Sequence, residues 1–200
     1  MLTYILFLAL FIIIYFVLKK EKIEEAFTIA INNRNHIIMF AEHNKSTSLV
    51  SYTQKFAKVI TTARDNLWAL DNIGKVWRKT EQKWIPVPTE NLREPSIFKD
   101  LTADETFVWA IGDDKFAGLV YKRPVDGTGR WIEISELIAV GETKKFEQIS
   151  ASGDGFTWAV DMNNNCWYWK KHPHTISWKM GGSSVRQVSC GKSFVFMLTS

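Results

Sequence analysis

Hydrophobic positions along the chain fall into two regimes. Residues 1 to 18, MLTYILFLALFIIIYFVL, are apolar without interruption and carry no charged side chain, no Gly and no Pro. A helix of that length rises about 27 Å at 1.5 Å per residue, close to the hydrocarbon thickness of a bilayer. After Lys19 the pattern becomes short apolar segments separated by clusters of Asn, Asp, Gly and Ser, which predicts short strands joined by turns. The expected organisation is one transmembrane α-helix over residues 1–20, a juxtamembrane linker over 21–25, and an all-β domain over 26–200.

The β region repeats itself. Asp65-Asn66-Leu67-Trp68-Ala69-Leu70-Asp71-Asn72 aligns with Thr106-Phe107-Val108-Trp109-Ala110-Ile111-Gly112-Asp113 and with Gly155-Phe156-Thr157-Trp158-Ala159-Val160-Asp161-Met162. Weaker copies surround Ile29 and Phe196, so the steps from 29 to 68, 109, 158 and 196 are 39, 41, 49 and 38 residues. Each copy is preceded by a strand ending in Ser or Thr: Lys58-Val59-Ile60-Thr61, Lys99-Asp100-Leu101-Thr102, Glu147-Gln148-Ile149-Ser150 and Arg186-Gln187-Val188-Ser189. A turn and a third strand follow, then a fourth strand opened by Trp84, Trp131 or Trp178. Four short strands in about forty residues, repeated, predict antiparallel meanders arranged around an axis, a β-propeller. Trp and Phe of the central strand are expected to fill the space between neighbouring blades.

This pattern resembles the tectonin repeat. Ile149-Ser150-Ala151-Ser152-Gly153 followed by Thr157-Trp158-Ala159-Val160-Asp161 carries the likeness best, with Trp84-Ile85-Pro86-Val87 and Trp131-Ile132-Glu133-Ile134 matching the last strand of the unit. The resemblance covers residues 26 to 200 and implies a small propeller of about five four-stranded blades, or alternatively four. The first copy has Ile29 where the Trp belongs and lacks the preceding strand, and the last stops after its second strand.

Charge and composition narrow the function. A net charge of +4 falls short of the basic stripe that nucleic-acid binding needs. Cys166 and Cys190 alone make neither a disulfide framework nor a zinc site. No basic segment precedes the apolar run and no small-residue cleavage site follows it, which favours a retained anchor over a cleaved signal peptide. Lys19, Lys20 and Lys22 follow the run directly, so the positive-inside tendency places the propeller on the cytosolic side. The sequon Asn44-Lys45-Ser46 points the other way and is outweighed.

No catalytic motif accompanies His36, His43, His172 or His174, so the expectation is a non-enzyme without cofactor or metal. The turns after the central strands contain Asn72, Asp113 and Asn163 and are hairpin turns first. Tectonin-like propellers include sugar-binding lectins, and the resemblance implies a candidate binding set of those three residues with Trp68, Trp109 and Trp158. A second set is basic: Arg78-Lys79, Lys122-Arg123 and Lys170-Lys171 are read as one repeat position and a possible rim for an acidic partner or anionic membrane surface. The expected function is a membrane-anchored propeller mediating protein-protein interactions in a membrane-associated assembly, a virion or coat being one instance. The alternative is a membrane-displayed carbohydrate-binding lectin.

Overall fold

In the computed structural model the described residues are 27–31, 37–41, 46–50, 55–62, 66–80, 83–89, 94–134, 137–139, 142–153, 155–170, 178–191 and 194–199. The anchor and linker expected at residues 1–25 lie outside them. Among the described residues no helix is long and apolar enough to cross a membrane.

Every described element is a strand. A three-stranded sheet, β1 (Phe27–Ile31), β2 (Ile37–Ala41) and β3 (Ser46–Val50), comes first. Three complete blades follow. They are β4 (Phe56–Thr61), β5 (Leu67–Asp71), β6 (Val76–Lys79) and β7 (Trp84–Pro86), then β8 (Phe98–Ala103), β9 (Phe107–Gly112), β10 (Val120–Pro124) and β11 (Ile132–Glu133). After the hairpin β12 (Leu137–Ala139) and β13 (Glu142–Thr143) stands the third, β14 (Phe146–Ala151), β15 (Phe156–Asp161), β16 (Cys166–Lys170) and β17 (Lys179–Gly182). A two-stranded sheet, β18 (Val185–Cys190) and β19 (Val195–Thr199), ends the series. Each complete blade is an antiparallel meander in chain order. The fold is thus all-β and propeller-like, built of repeated four-stranded sheets with partial sheets at both ends. The long 49-residue step between Trp109 and Trp158 arises mainly within the second complete blade, where 22 residues separate Trp109 from Trp131 against 16 between Trp68 and Trp84.

The repeat is conserved down to its irregularities. All four first strands carry a bulge one residue from their start, between Phe56 and Lys58, Phe98 and Asp100, Phe146 and Gln148, and Val185 and Gln187. This register aligns Lys58 with Asp100 and Ile60 with Thr102, so the first copy is shifted by one from the alignment that ended each strand in Ser or Thr. In each complete blade the Phe opening the first strand packs on the Trp opening the fourth: Phe56 on Trp84 at 4.7 Å between ring centroids, Phe98 on Trp131 at 4.8 Å, Phe146 on Trp178 at 4.7 Å. Such tilted pairs add about 0.5–1.5 kcal/mol beyond burial. In the last sheet, where no fourth strand stands among the described residues, Val185 replaces the Phe.

Neighbouring blades are joined by two repeated devices. The carbonyl of the turn residue before the third strand accepts the first amide of the next blade: Gly74 O from Phe98 N at 2.7 Å, Gly118 O from Phe146 N at 2.9 Å, Asn164 O from Val185 N at 2.8 Å. All three turn residues have positive φ, and a Cβ at Gly74 would stand 2.9 Å from the Phe98 carbonyl, so glycine fits both the angle and the approach. The second device lies on the innermost strands. Asp100 accepts from Lys58 Nζ at 2.7 Å and from Ile149 N at 2.9 Å, and Thr102 Oγ1 accepts from Ala151 N at 3.1 Å. One blade further, Gln148 Oε1 accepts from Val188 N at 2.8 Å and Ser150 Oγ from Cys190 N at 2.9 Å.

Candidate functional site

The turns that carry the candidate polar residues are built around an aspartate. Asp71 Oδ1 accepts from Ile73 N at 3.0 Å and Lys75 N at 2.8 Å, while its Oδ2 accepts from Trp77 Nε1 at 2.8 Å. Asp161 repeats this with Asn163 N at 2.8 Å, Asn165 N at 2.9 Å and Trp167 Nε1 at 2.7 Å. Burial pushes the Asp161 carboxyl upward, but the amides of Asn165 and Asn163 and the indole of Trp167 outweigh it and hold the group below the usual carboxylate range. In the middle blade Gly112 replaces the aspartate. There Asp114 orders the turn, its Oδ2 accepting from Ser96 N at 2.9 Å and Ser96 Oγ at 2.8 Å and its Oδ1 from Phe116 N at 3.0 Å. Asn72, Asp113 and Asn163 are exposed at the turn tips. Both aspartates are therefore turn-forming, and the exposed amides are what the turns present to solvent.

The three candidate tryptophans do not share an environment. Trp68 and Trp109 are fully buried between blades, Trp68 donating to Val125 O at 3.1 Å and Trp109 to Asp104 Oδ2 at 2.8 Å. Neither offers a ring face to a sugar. Trp158 is half-buried and lies over Gly181, whose added Cβ would stand 2.5 Å from the indole.

The three basic pairs do not all occupy one repeat position. Strand register pairs Trp68 with Arg78, Trp109 with Lys122 and Trp158 with Tyr168, so the third blade has Tyr168-Trp169 where Lys170-Lys171 was expected. Lys170 pairs with Phe156 and stands over its ring at 4.9 Å, two residues further along. Arg123 is buried and donates to Pro88 O at 3.0 Å and Gly127 O at 3.2 Å. Arg78 bonds the Asp126 carbonyl. Lys122 lies over the rings of Phe107 at 4.6 Å and Trp169 at 5.0 Å. Lys79 is half-buried, and Lys171 lies outside the described residues. Most of these cations serve packing within and between blades, which the recurrence of Lys and Arg in the sequence does not distinguish from a rim.

A cavity of about 310 Å³ opens at the innermost strands, lined by Val59, Ile60, Thr61, Thr102, Ala103, Ser150, Ala151 and Cys190. Its wall is uncharged, and the Thr102 and Ser150 hydroxyls accept backbone amides of the next blade. Such a lining supplies no general base and no ion pair. Cys190 Sγ donates to Ser150 O at 3.3 Å, and burial, then the neighbouring Cys190, push the Cys166 thiol up to about 11. Among the described residues no group of three His, Cys, Asp or Glu side chains could hold a metal ion. All four histidines lie outside the described residues.

One surface was not anticipated from sequence. Strand β19 exposes Phe196 (67%), Leu198 (57%) and Met197 (38%), with Phe194 (59%) just before it. Sequence alignment had already placed Phe196 at the Trp position; what it could not show is that no described strand covers it. Large apolar side chains grouped in this way mark contact surfaces.

No known family profile matches the chain, and no curated protein does. Solved structures do match its fold. "YCF48 bound to D1 peptide" is 12% identical with a TM-score of 0.59, the match covering 88% of this chain and 59% of that one. "Crystal structure of human WBSCR16" is 12% identical with a TM-score of 0.61, covering 88% and 57%. The RRP9 WD40 repeats are 8% identical with a TM-score of 0.59, covering 88% and 58%. The chain thus spans between 57% and 59% of the length of these structures.

Proposed function

We propose that this protein is a non-catalytic propeller, tethered to a membrane by residues 1–20 and built of tectonin-type blades, that holds other proteins in a membrane-associated assembly. The observation that carries the reading is the apolar strip on one face of β19, where Phe196 and Leu198 are exposed with Phe194 just before the strand. A strip of this kind suits a protein surface better than a sugar, whose hydroxyls require hydrogen-bonding groups beside an aromatic face. The neighbour YCF48, solved with a D1 peptide, is a propeller that binds a peptide. Tethering concentrates the domain near any partner on the same membrane, so weak contacts suffice. The uninterrupted apolar run and the three lysines after it support an anchor with the propeller on the cytosolic side.

The lectin reading keeps one point in its favour, the exposed amides of Asn72 and Asn163. It loses the stacking platform, because Trp68 and Trp109 are buried. The test is protease treatment of sealed membranes carrying the full chain with a tag after Ser200, together with a photo-crosslinker at Leu198. Digestion from the cytosolic side and crosslinks to protein are expected. Protection of the tag in right-side-out cells' lumen-equivalent vesicles, with retention on a glycan array and no protein crosslink, overturns the reading in favour of the lectin.

A further inference from the structure

In the first two complete blades, the face that carries the central tryptophan is covered by the end of the following blade's third strand. Trp68 donates to the carbonyl of Val125, which follows Pro124 at the end of β10, at 3.1 Å, and Arg78 bonds the carbonyl of Asp126. Trp109 meets Trp169 of β16 at 5.1 Å between ring centroids. The third complete blade is followed by β18 and β19, and its face stays partly open: Phe156, Trp158 and Tyr168 are each half-buried. The Tyr168 ring stands 5.0 Å from Trp158 and 6.0 Å from Phe156, so the three rings form a shelf across β15 and β16. Gly181 continues it on β17, where a Cβ would stand 2.5 Å from the Trp158 indole. The indole N–H of Trp158 has no acceptor among the described residues. Strand register sets Lys170 opposite Phe156 and Lys179 opposite Tyr168, and both lysines are exposed, without an ion pair among the described residues.

The shelf offers ring faces, an indole N–H and a phenolic hydroxyl, with no carboxylate or amide side chain among them. A sugar needs groups that accept from its hydroxyls. An extended proline-containing peptide does not, because its carbonyls are free acceptors and its prolines carry no N–H to satisfy. Aromatic-lined grooves recognise such segments. The chain holds its own instance, since Pro124 and Val125 run extended beside Trp68 and the Val125 carbonyl takes the indole N–H. We propose that the shelf of Phe156, Trp158 and Tyr168 binds an extended, proline-containing segment of a partner protein, its acidic side chains meeting Lys170 and Lys179 and one of its carbonyls accepting from Trp158 Nε1. This rests on the reading of the domain as a protein-interaction module and names the chemistry of a partner segment.

The test is fluorescence anisotropy of a labelled peptide, Glu-Pro-Pro-Val-Pro-Pro-Glu, titrated with the full chain in uncharged detergent micelles. Saturable binding by the wild type is expected. Tyr168→Ala should weaken it about 100-fold, the scale of losing an aromatic interface anchor. Trp158→Phe keeps a ring and removes the donor, for a loss of about 10-fold. Should Tyr168→Ala lack a cooperative thermal transition, Lys170→Glu takes its place, with a loss of about 5-fold expected for an exposed charge contact. Ile73→Ser, at an exposed turn of the first complete blade, is expected to bind like the wild type. A wild type without saturable binding overturns the proposal, as do shelf variants that bind like the wild type. Equal weakening in Ile73→Ser also overturns it, because the peptide is then held by exposed apolar surface in general. Failure here together with a protein crosslink at Leu198 leaves the interaction reading standing. Failure here with no protein crosslink at Leu198 ends both.

Discussion

Strands β9 and β19 carry the same kind of alternation and end in opposite environments. β9, FVWAIG, is buried almost throughout, whereas β19, VFMLT, is exposed along most of its length. The difference does not lie in the strands. It follows what stands beyond each: Trp68 and Trp109 are followed by complete four-stranded blades and are fully buried, Trp158 is followed by two strands and is half-buried, and Phe196 is followed by no described sheet. Burial of the central strand is therefore supplied by the next blade in the series, as expected when each repeat contacts only its neighbours.

The largest effect that could break this comparison is at its buried end. Trp109→Ala removes a fully buried indole and its bond to Asp104, and is expected to cost about 3–5 kcal/mol in denaturant unfolding. Phe196→Ala in the monomeric chain is expected to stay within about 0.5 kcal/mol, as for a surface substitution. Trp158→Ala should fall between them. Equal costs at Trp109 and Phe196 would mean that the blade series does not decide burial.

A smaller effect sharpens the comparison at the inner strands, where the complete blades are tied together. Asp100 joins three blades, through Lys58 before it and the Ile149 amide after it. Asp100→Ala leaves that buried amide without its acceptor and is expected to cost about 1–3 kcal/mol. Gln187, at the Gln148 position of the last sheet, is exposed, and Gln187→Ala is expected to cost about 0.5 kcal/mol or less. Urea unfolding of both variants checks this, and an inverted order would place the structural ties at the open end.

Much of the architecture was legible because tryptophan at a near-constant interval exposes a repeat before any strand is assigned. The four-strand unit followed from turn clusters between apolar segments. What stayed hidden depended on register. The bulge common to all first strands shifts Lys58 onto Asp100, and no one-residue irregularity of that kind shows in a hydrophobic pattern. Lys170 looked equivalent to Lys122, but the CWYWK strand substitutes aromatics for the basic pair and pushes its lysine two residues on. The Trp that opens each fourth strand was visible, while its Phe partner lies at the other end of the blade sequence and is brought close only by the fold. Of the candidate binding tryptophans, Trp68 and Trp109 fill the space between blades, and that role removes them from any surface.

The smallest expected effect contrasts two turns. Asp161 orders its turn through two amides and the Trp167 indole, while the equivalent turn of the middle blade has Gly112 in that place. Asp161→Asn keeps the shape and removes the charge from these bonds, for an expected loss of about 1 kcal/mol at neutral pH. Because the folded carboxyl is held below its ordinary value, its contribution is fully present above the unfolded value near 3.9 and is lost as pH falls through the folded value. The gap between wild type and Asp161→Asn should thus be constant above about pH 5 and close on further acidification. Gly112→Ala would not reproduce that pH dependence, since it removes no carboxylate and leaves Asp114 in its turn. A gap that persists undiminished at low pH would show that Asp161 acts through shape alone, and the two turns would then differ in packing and not in charge.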